Sequence, residues 1–150
     1  MSVKANHSVA LYFLLCRGLD EVLATGNTAN YPALCVEVTA SFSVLSEMIN
    51  AVQKVLTEKH DRSDLTVLIS RLQKGEKEKL NLTAALHLER IRAQSQRQLV
   101  EQSMESADTR ISSLLHQSVD SLKQKIADIV EDINEVLEEL RLSLLEDDND

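Results

Sequence analysis

The side chains best suited to chemistry are four histidines, His7, His60, His87 and His116, and two cysteines, Cys16 and Cys35. A structural zinc site draws cysteine and histidine ligands from closely spaced positions. No histidine here has a second histidine or a cysteine three or four residues away, and neither cysteine has another nearby in sequence. That spacing argues against a zinc site. His87 lies in the segment LTAALHLER and reads as a surface or helix-packed histidine rather than a base. Adjacent carboxylates such as Glu138 and Glu139 point apart on a helix, so they read as a solvated face rather than an acid–base pair. Neither a P-loop nor a GxGxxG pattern is present. The expectation is no catalytic residue, no metal and no cofactor.

One local feature could meet a ligand. Between Arg71 and Arg97 stand seven bases, Arg71, Lys74, Lys77, Lys79, Arg90, Arg92 and Arg97, against three acids, Glu76, Glu78 and Glu89. Such a run could contact phosphates. No aromatic side chain is interleaved with it, so stacking on single-stranded bases is not expected. The alternative is a charged helix face held by Glu–Lys and Glu–Arg pairs. Any DNA contact should therefore be weak or absent, sensitive to salt and indifferent to sequence.

The net charge of −8 is uneven. Residues 1–74 carry seven acids and seven bases, and residues 75–107 carry five of each. Residues 108–150 carry twelve acids and four bases, so the whole excess sits there. An acidic surface of this kind repels phosphate and aids solubility.

These side chains must be positioned by helices. The chain of 150 residues has three glycines and one proline, the residues that interrupt helices. A first helix is expected over about Ser8–Ala24, capped by Ser8, with Val9, Phe13, Cys16, Leu19 and Leu23 recurring at helical spacing and Gly26 just past its end. Residues 9–16 are apolar on nearly every side, so this helix should be buried. Cys16 and Cys35, each inside an apolar helical pattern, should be buried free thiols. Pro32 suits a first helical turn. A second helix should run from there to about Lys59, with a stripe of Leu34, Val38, Phe42, Leu45, Met48, Ile49, Val52 and Leu56. Asp61 or Ser63 should cap a third helix beginning near Asp64, with Leu65, Leu68, Ile69 and Leu72 as its stripe. Leu80, Ala84, Leu88 and Ile91 resume that face beyond Gly75, which is either a close packing point or a hinge. This helix should end between about Arg92 and Ser106.

The last helix carries the clearest pattern. Leu115, Val119, Leu122, Ile126, Ile129, Ile133, Val136 and Leu140 are spaced 4-3-4-3-4-3-4, an unbroken seam of a and d positions. The seam should pack on the second and third helices or on a partner, a homodimer included. The fold class expected is all-α, an antiparallel bundle of about four helices with a long C-terminal heptad helix. Residues 1–145 should form one domain and 146–150 a disordered acidic tail. No run reaches the roughly 18–20 apolar residues of a membrane span, so no membrane partner is expected.

Several segments resemble one known family. Tyr31-Pro32 leads into a helix carrying Thr39-Ala40-Ser41-Phe42; EKEKLNLTAALH closes the third helix, and INEVLEELR covers Ile133–Arg141. Together these are similar to the required-for-excision 1-B family, over about Leu11–Arg141. The resemblance implies a role in DNA excision repair and supplies no catalytic residue. It leads to the expectation of a non-enzymatic accessory or scaffolding factor, nuclear or cytoplasmic, that binds other proteins such as repair factors. The alternative is a general coiled-coil subunit of an assembly that makes no direct DNA contact.

Overall fold

With glycine and proline so rare, little in the sequence stops a helix once it has nucleated. The structure, a computed structural model, describes the backbone of residues 2–103 and 109–147 and the side chains of residues 10–100 and 110–145. It is all-α. Four helices, α1 (Ser2–Thr25), α2 (Tyr31–His60), α3 (Ser63–Ser103) and α4 (Thr109–Asp147), hold nearly all of the described residues, and none of these residues is in a strand. Two compact units divide the chain, residues 1–55 and 56–150, with the border inside α2.

The first unit contains an antiparallel contact between α1 and α2. Tyr12 and Phe42 meet edge to face, with ring centroids 5.1 Å apart. Nearer the turn, a Cβ placed on Gly18 would overlap Leu34 Cδ2, so glycine lets the Leu34 side chain lie against the α1 backbone. Among the described side chains of α1, Leu11, Leu15, Leu19 and Val22 are buried. This differs from the sequence expectation. Phe13 is 68% exposed, Cys16 is exposed, and Cys35 is half-buried, so the two free thiols are not core residues. The apolar run is so continuous that its composition did not select a face; the leucine row at four-residue spacing did. The helix also starts at Ser2, before the expected cap, since no breaker stands upstream of Ser8.

Gly26 ends α1 as expected. Its φ of 72° is left-handed, and its amide donates to the Val22 carbonyl at 2.8 Å. Asn27 then accepts from the Ala29 amide through Oδ1 at 3.0 Å, a local turn that leads into Tyr31 and Pro32. On α2, Leu34, Phe42, Leu45, Ile49 and Leu56 are half-buried and Val38 is buried, but Met48 and Val52 are 50% and 43% exposed. An 18-residue window of α2 is long and apolar enough to cross a membrane by length and composition alone, although no uninterrupted apolar run of that length stands in it, and 6% of it is buried. Small Ala, Ser and Thr residues stand between its aliphatic side chains, so charged residues such as Glu37 and Glu47 are few there.

Asp61 does not cap α3. It adopts a left-handed φ of 49° and ends α2, while the Arg62 amide reaches back to the Leu56 carbonyl at 3.1 Å. Ser63 is the first residue of α3 and its carbonyl accepts from Thr66 Oγ1 at 2.7 Å. Arg62 grips the Asp64 carboxylate with Nε at 3.0 Å and Nη2 at 2.8 Å, and Nη2 also reaches the Ser143 carbonyl at 3.5 Å.

In the second unit α3 and α4 pack antiparallel. The order of contacts fixes the register: Arg97 with His116, Gly75 with Ile133, Arg71 with Glu139, Arg62 with Ser143. α3 runs unbroken through Gly75, so that glycine is a packing point and not a break. A Cβ there would lie 2.9 Å from Ile133 Cγ1. Among the described side chains of α3 beyond Gly75, Thr83 and His87 are buried, whereas Ala84 and Leu88 are exposed. Thr83 donates its hydroxyl to the Lys79 carbonyl at 2.8 Å. Among the described residues no buried side-chain nitrogen or oxygen lacks a hydrogen bond. α3 extends to Ser103, and α4 continues through Glu146 and Asp147; residues 148–150 of the expected disordered tail lie outside the described residues.

Two outcomes test this packing. Arg62 holds the Asp64 carboxyl down at about 2, chiefly by hydrogen bonding. A depressed carboxyl stabilises the fold above the ordinary carboxylate range and loses that contribution as pH falls toward 2. Side-chain carbon NMR should show Asp64 titrating low, and Arg62→Gln should return it to the usual range; an unchanged midpoint in that variant would rule out the pairing. At Gly75, helix propensity alone favours alanine by about 1 kcal/mol. Packing reverses the sign, because Ile133 is buried and cannot step aside. Gly75→Ala should lower the melting temperature, and less so in an Ile133→Ala background. A higher melting temperature for the single variant would refute the close approach.

Candidate functional site

Because α3 is one continuous helix, each basic residue on it points in a direction set by its position. Successive residues turn by about 100°. Arg71, Lys74, Lys77 and Arg92 then fall on one side, and Lys79, Arg90 and Arg97 on another, the two sides roughly 150° apart. The seven bases do not form a single stripe. Gly75, which meets Ile133 of α4, points between the two groups, so that contact lies between them.

Several of these charges already have partners. Arg71 Nη1 is 2.9 Å from Glu139 Oε2 on α4. Lys79 Nζ is 3.1 Å from Glu76, and Arg92 Nη1 is 2.6 Å from Glu89, both along α3. Arg97 Nη2 donates to His116 Nε2 at 2.9 Å, and His116 Nδ1 donates to the Ser112 carbonyl at 2.7 Å. Together those bonds select the neutral Nδ1–H tautomer. Lys74 lines an open depression with Thr66, Val67, Ser70 and Arg71. The packing of α4 on α3 brings acid to base, which weakens any attraction of this surface for phosphate.

The α4 seam is graded. Leu115, Val119, Leu122, Ile126 and Ile129 are half-buried, while Ile133, Val136 and Leu140 are buried. Leu122, Ile126 and Ile129, expected to pack on the second and third helices or on a partner, are thus only half-buried within the chain. The contact between Gly75 and Ile133 shows that α3 occupies part of this seam within the chain.

His87 is 2% exposed, His60 lies in the exposed last turn of α2, and His7 lies outside the described side chains. Among the described residues no three or more His, Cys, Asp or Glu side chains gather closely enough to hold a metal ion. One group went unnoticed in the sequence. The Tyr31 hydroxyl is pushed well above its ordinary value, first by burial and then by Cys35, to which it hydrogen-bonds, and by Cys16. A phenol held protonated in this way donates a hydrogen bond and does not act as a base. The spacing of Tyr31 and Cys35, one helical turn, was readable; the approach of Cys16 from α1 was not.

A family model described as DNA repair REX1-B matches residues 6–90. The matched segment takes in α2 and most of α1 and ends within α3, so the likeness noted at Ile133–Arg141 falls outside it. No curated protein and no solved structure matches the chain. With more than half of its length matched, the chain belongs to the DNA repair REX1-B family.

Proposed function

We propose that this protein is a non-enzymatic accessory or scaffolding factor in DNA excision repair that acts through protein–protein contacts, in the nucleus or the cytoplasm. The family's name supplies the process, DNA repair. The observation that carries the mode of action is the division of the α3 bases between two faces, with Arg71, Lys79 and Arg92 engaged by glutamates. A surface organised in this way offers a DNA duplex few aligned charges. The reading as a general coiled-coil subunit has less support, because α3 takes up part of the α4 seam that such a subunit would present to others.

DNA binding should therefore be weak. The dependence of log affinity on log salt should have a slope of about 2, since each neutralised phosphate contributes about 0.9. Replacing Lys74, Lys77 and Arg92 by glutamine should remove one face's share, and replacing Lys79, Arg90 and Arg97 the other's. Damaged duplex incubated with the purified protein should be returned uncut. Tight binding at physiological salt, or turnover of the duplex, would defeat this reading. Affinity purification of the tagged chain from cells with damaged DNA should recover repair nucleases or damage-recognition factors. Recovery of cytoskeletal or trafficking subunits alone would favour the coiled-coil alternative instead.

A further inference from the structure

The outward side of α2 carries a row of exposed apolar side chains. Val44, Met48 and Val55 are 57%, 50% and 43% exposed, and Ala51, which falls on the same line, is also exposed. Their spacing, 4-3-4, is that of d and a positions. In the same frame Glu47 and Lys54, both exposed, take successive g positions along one margin, and Leu45 and Val52 take e positions along the other.

We propose that a second copy of this chain docks on this row, its α2 running antiparallel about a two-fold axis near Ile49 and Asn50. An isologous contact demands a surface complementary to itself, and this row meets that demand in size and in charge. Val44 stacks on the partner's Val55, and Met48 fills the space above the partner's Ala51. The same operation sets Glu47 beside the partner's Lys54, and Lys54 beside the partner's Glu47, as g positions meet in an antiparallel coiled coil. One acid and one base placed one heptad apart on one margin form two cross pairs in this arrangement; two acids or two bases would repel. Lys54 has a contact within its own chain, and exchanging one exposed ion pair for another costs little.

A lipid surface fits less well. Glu37, Glu47 and Glu58 stand on the exposed part of α2, and membrane-surface helices instead carry clustered Lys and Arg. The row from Val44 to Val55 is only about 17 Å long at 1.5 Å per residue. The dimer should therefore be in micromolar equilibrium with monomer.

Sedimentation equilibrium of the full chain over a concentration series should show monomer and dimer. Glu47→Lys should turn both cross pairs into lysine against lysine and weaken the dimer roughly tenfold or more. Lys54→Glu should do the same with two glutamate pairs. The double variant should restore the parent's affinity, and so should an equimolar mixture of the two single variants, which pair as a heterodimer. These exposed changes leave the core intact, and circular dichroism should confirm unchanged helix content. A monomer at every concentration would overturn the proposal. A dimer indifferent to both charge swaps would overturn it too, since another face such as the α4 seam would then hold the copies together. Co-sedimentation of the monomeric chain with anionic vesicles, lost in Met48→Glu, would also overturn it, because lipid would be the occupant. None of these results bears on whether the protein binds repair factors.

Discussion

The interaction on which the second unit depends is the meeting of Gly75 with Ile133. α3 and α4 are 41 and 39 residues long, and two helices of that length could slide past one another by a turn with similar burial. A residue without a side chain opposite a β-branched one singles out one register. Arg71–Glu139 and Arg97–His116 then fall into reach on either side of it. These are exposed polar contacts and contribute little stability each. They report the register more than they hold it.

The register in turn determines the chemistry of the surface. An acidic helix packed on one with local basic excess brings opposite charges together and leaves neither as a uniform field. α2 contrasts with this pair. It carries apolar side chains on its outward side as well as its inward one, yet the side chain it buries is Val38. A helix of that composition is rarely left bare in water, and its outward row is where the chain has most to gain by association.

Much of the helical layout was legible from residue types. Gly26 and Pro32 mark a turn because one tolerates left-handed φ and the other lacks an amide donor. The α4 seam was readable because its aliphatic residues are separated mostly by polar and charged ones, so period and face coincide. α1 was not readable in the same way: with apolar residues on every side, only packing distinguishes Leu15 from Phe13. Beyond Gly75 the face of α3 was misread for the opposite reason. Its buried positions are Thr83 and His87, polar side chains that a search for leucines passes over. The scatter of the bases was within reach of helix geometry, but a count along the chain ignores rotation. The convergence of Tyr31 with Cys35 and Cys16 depends on two helices meeting, and no local pattern announces that.

The antiparallel register of α3 and α4 also orders the steps by which this pair can assemble. Arg97 and His116 are 19 residues apart in the chain, whereas Arg62 and Ser143 are 81 apart. Closing a loop costs conformational entropy that rises with its length. Contacts beside the interhelical connection are thus the cheapest to make first, and each one shortens the loop left for the next. The pair can close like a zip from that end toward Arg62, with its long-range contacts never requiring a large single search. The tight fit at Gly75 lies partway along that path, where it can arrest a misaligned zip before the distant ends commit.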